Sequence, residues 1–215
     1  MIINILAGGP IDLLPSLEKY DKENIVWVGV DRGVFTLIQK GIIPQYAFGD
    51  FDSVSSEELA VIREQVGDLQ KFSPEKDETD MELAINWALQ QEPTLIQLFG
   101  ATGGRLDHLF ANVQLLLKPI LQNINTEMEI IDNKNTIYIR SAGEHSIQKM
   151  NDRKYISFVP VSGAISRLTL VGFKYPLKDC HIPLGSTLCI SNELINDYGT
   201  FSFTEGILMV IRSRD

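Results

Sequence analysis

Along roughly the first 122 residues, short apolar runs alternate with stretches whose apolar positions recur every three or four residues. The runs IINILAG, NIVWVGVD, YAFGD and TLIQLFGA are nearly unbroken hydrophobics that end in Gly or Asp. That texture predicts strands buried on both faces of a parallel sheet. Between them, SSEELAVIREQ places Ser55 and Glu58 at capping-box spacing. TDMELAINWALQQ puts Met81, Ala84, Ile85 and Ala88 on one helical face, and LDHLFANVQLLL does the same with Leu106, Leu109, Phe110, Val113 and Leu117. The alternation predicts an α/β domain over residues 1–124 with a mainly parallel, doubly wound, Rossmann-like sheet.

Past residue 124 the pattern changes. EMEIID, NTIYIR, KYISFVPV, SRLTLVGF, STLCISN, TFSFT and ILMVIRS are short alternating runs separated by Gly, Asn, Asp and Pro. They predict an antiparallel all-β sandwich or barrel over residues 125–215.

Composition narrows the functional classes. The chain has 215 residues, 44% hydrophobic and 22% charged, which suits a folded protein of one large or two small domains. A net charge of −9 without any Lys/Arg-rich tract argues against nucleic acid. An anionic ligand would need a cation or a local Arg to offset that field. Cys180 and Cys189 lack CxxC spacing and are expected to be buried free thiols. MIINILAGGP has no basic leader, and no run reaches the roughly 18 apolar residues of a membrane span, so a cytoplasmic location is expected.

Ligands of open α/β sheets bind beyond the carboxyl ends of the strands, so the chemistry is sought there. The first strand ends in Gly8-Gly9, the second in Asp31-Arg32-Gly33, and the third in Gly49-Asp50-Phe51-Asp52-Ser53. The fifth ends in Gly100-Ala101-Thr102-Gly103-Gly104-Arg105-Leu106-Asp107-His108, and Lys76-Asp77-Glu78-Thr79-Asp80 precedes the helix leading into it. Singly, helix capping is the simpler role for Asp31 and for Asp77, Gly103-Gly104 stays open between a turn and a phosphate contact, and only Asp50 with Asp52 resist a purely structural role. Together, Asp50, Asp52, Asp77 and Asp80 concentrate negative charge at one sheet edge, a cost that a cation would offset. Carboxylate oxygens at few positions suit Mg²⁺ completed by substrate phosphates. Arg105, following two glycines, adds a guanidinium matched to phosphoryl oxygens.

The ordered set GDFDS, DETD and GATGGRLDH, on an α/β half followed by a β-rich half, resembles the thiamine pyrophosphokinase family across essentially the whole chain. The resemblance implies an N-terminal domain that binds ATP and Mg²⁺. It also implies a C-terminal sandwich that completes a thiamine site in a homodimer, at the subunit interface. By similarity, Asp50, Asp52, Asp77 and Asp80 are metal and catalytic residues, with Arg105 on the phosphates. ATP would meet Gly8, Gly9, Asp31, Gly33, Thr79, Thr102, Gly103, Gly104, Arg105, Asp107 and His108. GFKYPL and SNE look like thiamine-contacting segments, which brings in Tyr175, Ser191 and Asn192. A tyrosine face would attract the permanently cationic thiazolium.

The expected reaction is Mg²⁺-dependent transfer of the β,γ-diphosphoryl group of ATP to the hydroxyethyl oxygen of thiamine, giving thiamine diphosphate and AMP. A nucleotide phosphohydrolase using the same carboxylates, or a non-catalytic nucleotide or thiamine sensor, are the alternatives.

Overall fold

A computed structural model describes the chain apart from Ser53, Gly67 and residues 72–76, with residues 68–71 described by backbone alone. Ser53 of the GDFDS segment and Lys76 before Asp77 therefore lie outside the described residues. The chain divides into two compact units, Met1–Asn133 and Lys134–Asp215.

In the first unit the sheet is built from β1 (Ile2–Leu6), β2 (Ile25–Val30), β3 (Tyr46–Gly49), β4 (Asp68–Lys71), β5 (Leu95–Phe99) and β6 (Glu127–Ile131). They pair in the order β6-β5-β1-β2-β3-β4, every pair parallel. The near-continuous hydrophobicity of the inner strands follows from burial: Ile3, Ile5, Val28, Ala47, Ile96 and Leu98 have almost no exposed surface. Strand β1 carries β2 on one side and β5 on the other, so the chain reverses direction across the sheet there. Such a reversal opens a crevice beyond the strands' carboxyl ends.

Helices α1 (Arg32–Gln39), α2 (Ser56–Gln65), α3 (Asp80–Gln90), α4 (Leu106–Leu115) and α5 (Lys118–Leu121) complete the unit. The capping box of α2 forms as its spacing predicts, and α3 buries Met81, Ala84, Ile85 and Ala88. Helix α4 departs from expectation. Leu106 and Phe110 of its apolar stripe are 67% and 66% exposed, and the buried positions are Asn112 and Leu115. Periodicity marks a face but not the surface that face meets. Here a polar residue is drawn inward because the Asn112 amide donates to the Ala101 carbonyl at 3.0 Å.

The segment EMEIID also differs from its reading as part of the antiparallel half: β6 pairs parallel with β5, Leu95 opposite Glu127. A five-residue strand carries no mark of its partner's direction. Strand β4, with the polar sequence DLQK, gives no apolar signal at all and lies at the end of the sheet.

The second unit is antiparallel. Its strands are β7 (Asn135–Gln148), β8 (Tyr155–Pro160), β9 (Ile165–Val171), β10 (Leu177–Ile182) and β11 (Tyr198–Ser213). Strand β11 pairs with β7, β8 and β9, and β10 pairs with β9. TFSFT and ILMVIRS are one strand interrupted by a register shift between Phe203 and Ile207, where the chain passes through Gly206. STLCISN is not a strand; it meets β8 through a bridge between Ile156 and Asn192 and through the Phe158 N–H, which donates to the Cys189 carbonyl at 3.0 Å. Phe158, Leu168, Leu170, Phe201, Leu208 and Val210 form the core of this unit, and Cys189 is buried among them. Both thiols are free, Cys180 only half-buried.

Phe201 is 1% exposed, with the Phe158 ring centroid 5.0 Å away and the His145 ring stacked at 4.9 Å. Phe201→Ala is expected to cost about 3–5 kcal/mol, read as a lower urea midpoint at unchanged slope.

Candidate active site

Residue 31 follows β2 and residue 50 follows β3, and because these strands are adjacent and in register, Val30 opposite Phe48, their ends lie side by side. The Asp31 backbone N–H donates to the Phe48 carbonyl at 2.9 Å. Gly49 passes against the Asp31 side chain, and a Cβ there would overlap carboxylate Oδ1. Only glycine lets the two strand ends approach so closely. Next, Phe51 is driven into the core with Val34, Ala47, Ile62 and Val66 despite a left-handed φ of 60°. Burial compensates a backbone cost of about 1–2 kcal/mol. Its neighbours are left outside the core: Asp50 is half-buried and Asp52 exposed, with the Asp52 N–H donating to Asp50 Oδ1 at 3.0 Å.

Asp80 is the first residue of α3, whose N-cap Thr79 accepts from the Glu82 N–H at 3.1 Å. Asp31, Asp50 and Asp80 thereby converge, each offering a carboxylate oxygen within 4.8 Å of the other two. Asp31 occupies the N-cap position of α1 yet makes no side-chain cap bond, so capping does not explain it. Its Oδ1 is buried without a hydrogen-bond partner among the described residues, and its φ of 50° is left-handed. Burial, then the charges of Asp80 and Asp50, push its carboxyl up to about 7; a hydrogen bond from the Phe51 backbone opposes this. An unsatisfied buried oxygen among like charges is a cost that a hard cation with all-oxygen ligation would remove. The donor set fits such an ion.

Of the four carboxylates singled out by sequence, this trio contains Asp50 and Asp80. Asp52 stands outside it but close enough to raise Asp31 further, and Asp77 is exposed at the bend before α3. Asp31 joins Asp50 and Asp80 as the third carboxylate, a residue that the sequence reading places among the ATP contacts and not among the metal residues. Its position at the end of a strand neighbouring the GDFDS strand was the available signal.

The glycine loops meet at the same strand ends. The Gly9 N–H donates to the Gly100 carbonyl at 3.0 Å, Gly8 lies beside Arg32, and Gly33 packs against the Leu6 carbonyl. Thr102 is buried and donates its hydroxyl to Asp132 at 2.8 Å, so with Asn112 it anchors the loop. Gly103 and Gly104 then turn outward with left-handed φ. Arg105 is exposed and forks onto Asp107, Nε to Oδ1 at 3.1 Å and Nη2 to Oδ2 at 2.6 Å. That hydrogen bonding holds the Asp107 carboxyl down at about 2, and the His108 N–H also donates to Asp107.

Within the second unit, Tyr175, Ser191 and Asn192 are neighbours. The buried Asn192 side chain clamps the Tyr175 backbone, accepting from its N–H at 3.1 Å and donating to its carbonyl at 2.9 Å. The Ser191 N–H donates to the Ser157 hydroxyl at 2.9 Å. The Tyr175 ring is left 58% exposed, with the Lys174 ammonium 5.6 Å from its centroid. Glu193 pairs with that ammonium at 3.1 Å.

Comparison with known proteins returns the same relatives for sequence and structure. Residues 17–130 match the model of the thiamin pyrophosphokinase catalytic domain, and residues 144–208 that of the thiamin pyrophosphokinase vitamin B1 binding domain. The thiamine pyrophosphokinase of Bacillus subtilis is 53% identical over 213 residues, 99% of each chain. A crystal structure of the thiamin pyrophosphokinase from Geobacillus thermodenitrificans superposes with a TM-score of 0.92 at 50% identity, covering 100% of this chain and 98% of that one. The thiamin pyrophosphokinase of Candida albicans, 17% identical, shares the fold with a TM-score of 0.83 over 98% of this chain and 89% of its own.

The raised Asp31 carboxyl carries a pH signature. Between 3.8 and about 7 the folded chain retains a proton that the unfolded chain has lost, so stability falls as pH rises through this window and levels off above it. Asp31→Asn is expected to melt higher than the parent near pH 8 in EDTA, about one unit above the folded pKa, with the difference shrinking towards pH 4. Equal melting temperatures near pH 8 would place the carboxyl in a water-like environment.

Proposed function

The chain belongs to the thiamin pyrophosphokinase family, and we propose that it makes thiamine diphosphate by moving the β,γ-diphosphoryl group of ATP to the hydroxyethyl oxygen of thiamine. A bond forms between that oxygen and the β-phosphorus. The bond between the β-phosphorus and the oxygen bridging it to the α-phosphate breaks, and this oxygen leaves with AMP. The hydroxyl proton passes to a carboxylate. The convergence of Asp31, Asp50 and Asp80 around a buried, unpartnered oxygen is the observation that carries this reading.

Asp31, Asp50 and Asp80 would hold Mg²⁺, with Asp52 and Asp77 contributing directly or through water. The ion would neutralise charge on the phosphoryl oxygens. The remaining tasks fall to the chain itself, which must align a neutral hydroxyl with phosphorus and exclude competing water. Arg105 binds phosphoryl oxygens by exchanging its fork from Asp107 to the ligand, since guanidinium serves both partners with the same geometry. Gly8 and the Gly103-Gly104 turn offer backbone N–H groups to the nucleotide, while the Gly9 N–H stays on the Gly100 carbonyl. Asp52 or Asp80 takes the hydroxyl proton.

Thiamine is assigned to the C-terminal unit, its thiazolium on the exposed face of Tyr175, in the homodimer implied by the family resemblance. Asn192 serves by fixing the backbone that carries this ring. The location consistent with these substrates is the cytoplasm.

The test is product analysis of the protein with Mg²⁺, ATP and thiamine. Thiamine diphosphate and AMP are expected in equal amounts. Thiamine monophosphate with ADP, or phosphate release independent of thiamine, would overturn the assignment. Asp50→Ala is expected to lower turnover by on the order of 100-fold or more in a protein that still folds. Tyr175→Ala is expected to weaken thiamine binding by about 2- to 30-fold while leaving ATP affinity unchanged, as measured by calorimetry.

A further inference from the structure

We propose that Arg32 and Glu58 are positioning residues that set the spacing between the Asp31 segment and the Asp50–Asp52 segment. The inference rests on the reading of the carboxylates as cation ligands.

Arg32 directly follows Asp31, and Ser55 lies three residues beyond Asp52. Arg32 Nη2 meets Glu58 Oε1 at 2.8 Å. The other oxygen, Oε2, accepts from the Ser55 N–H at 3.0 Å, and the Glu58 N–H donates to Ser55 Oγ at 3.2 Å. One carboxylate thus closes the capping box of α2 and grips the residue beside Asp31. The two helices already share an apolar contact through Val34 and Ile62, with Phe35, Ile38 and Leu59 packed against it. Such contacts are non-directional and leave helices free to slide slightly. The ion pair and the capping box are directional and lie at the helix ends that carry the acidic segments. The Arg32 side chain is 49% exposed, and pairs of this kind add little to stability. Positioning is therefore the role that suits this pair, as it suits the outer partners that orient metal ligands.

Charge alone makes the opposite prediction to geometry. A guanidinium beside the carboxylates repels an incoming divalent cation, so its removal should tighten cation binding if it acts only as a charge. If it positions Asp31 against Asp50, removal should weaken binding.

The experiment titrates Mn²⁺ into the nucleotide-free full chain, reading free Mn²⁺ by electron paramagnetic resonance, with melting temperature measured on every variant. Arg32→Met and Glu58→Gln are each expected to raise the Mn²⁺ Kd about 10-fold, with melting temperatures within about 3 °C of the parent. Glutamine puts an NH₂ donor in place of one of the two oxygens that Arg32 and Ser55 use and removes the negative charge, so one of the two bonds is lost. The double variant should be no worse than either single, and Arg32→Lys should recover part of the loss. Tighter or unchanged binding in Arg32→Met, or additive losses in the double variant, would overturn the inference while leaving the carboxylate site standing. A parent chain that does not bind Mn²⁺ would overturn the carboxylate site and this inference with it.

Discussion

Like charges forced together at the carboxyl ends of parallel strands are the constraint around which the N-terminal unit is organised. Adjacent, in-register strands place Asp31 and Asp50 side by side, and the start of α3 brings Asp80 to meet them. Desolvation makes the arrangement costlier still, because Asp31 keeps an oxygen that no donor among the described residues reaches. Two residues there also hold left-handed backbone, Asp31 at φ 50° and Phe51 at φ 60°. Strain and unsatisfied charge accumulate at functional sites when the surrounding core over-determines them. Here the buried Phe51 ring and the sheet beneath supply that support.

The exposed groups share a mode of support, seen separately in each unit. Arg105 is presented by a loop whose root is pinned by Asn112 to the Ala101 carbonyl and by Thr102 to Asp132. Tyr175 is presented by backbone that Asn192 grips from both sides. In both cases a buried polar side chain spends its hydrogen bonds on a loop, and the side chain beyond it is left exposed. This division explains why residues grouped by motif separate by role. Thr102 and Asn192 fix geometry, while the side chains of Arg105 and Tyr175 stay exposed, Arg105 paired with Asp107.

Much of this was legible in the sequence. Hydrophobic runs ending in Gly or Asp located β1, β2, β3 and β5, and the Ser55–Glu58 spacing located the start of α2. Those signals are local, so a short window suffices to read them. The partner of β6, the outward stripe of α4 and the continuity of β11 through Gly206 were not legible, since each depends on a distant surface or strand.

For the site, residue type and order along the chain supplied the candidate groups: carboxylates at strand ends, a guanidinium after paired glycines, an aromatic beside polar turn residues. Tertiary structure decided which of them meet. It joined Asp31 to Asp50 and Asp80 and left Asp52 and Asp77 outside that group. It also engaged Arg105 with Asp107 and turned the Thr102 hydroxyl inward. The physical reason is that strand adjacency and register set distances between residues far apart in the chain. A one-dimensional pattern records which side chains can bear charge, but not which of those charges come within reach of one another.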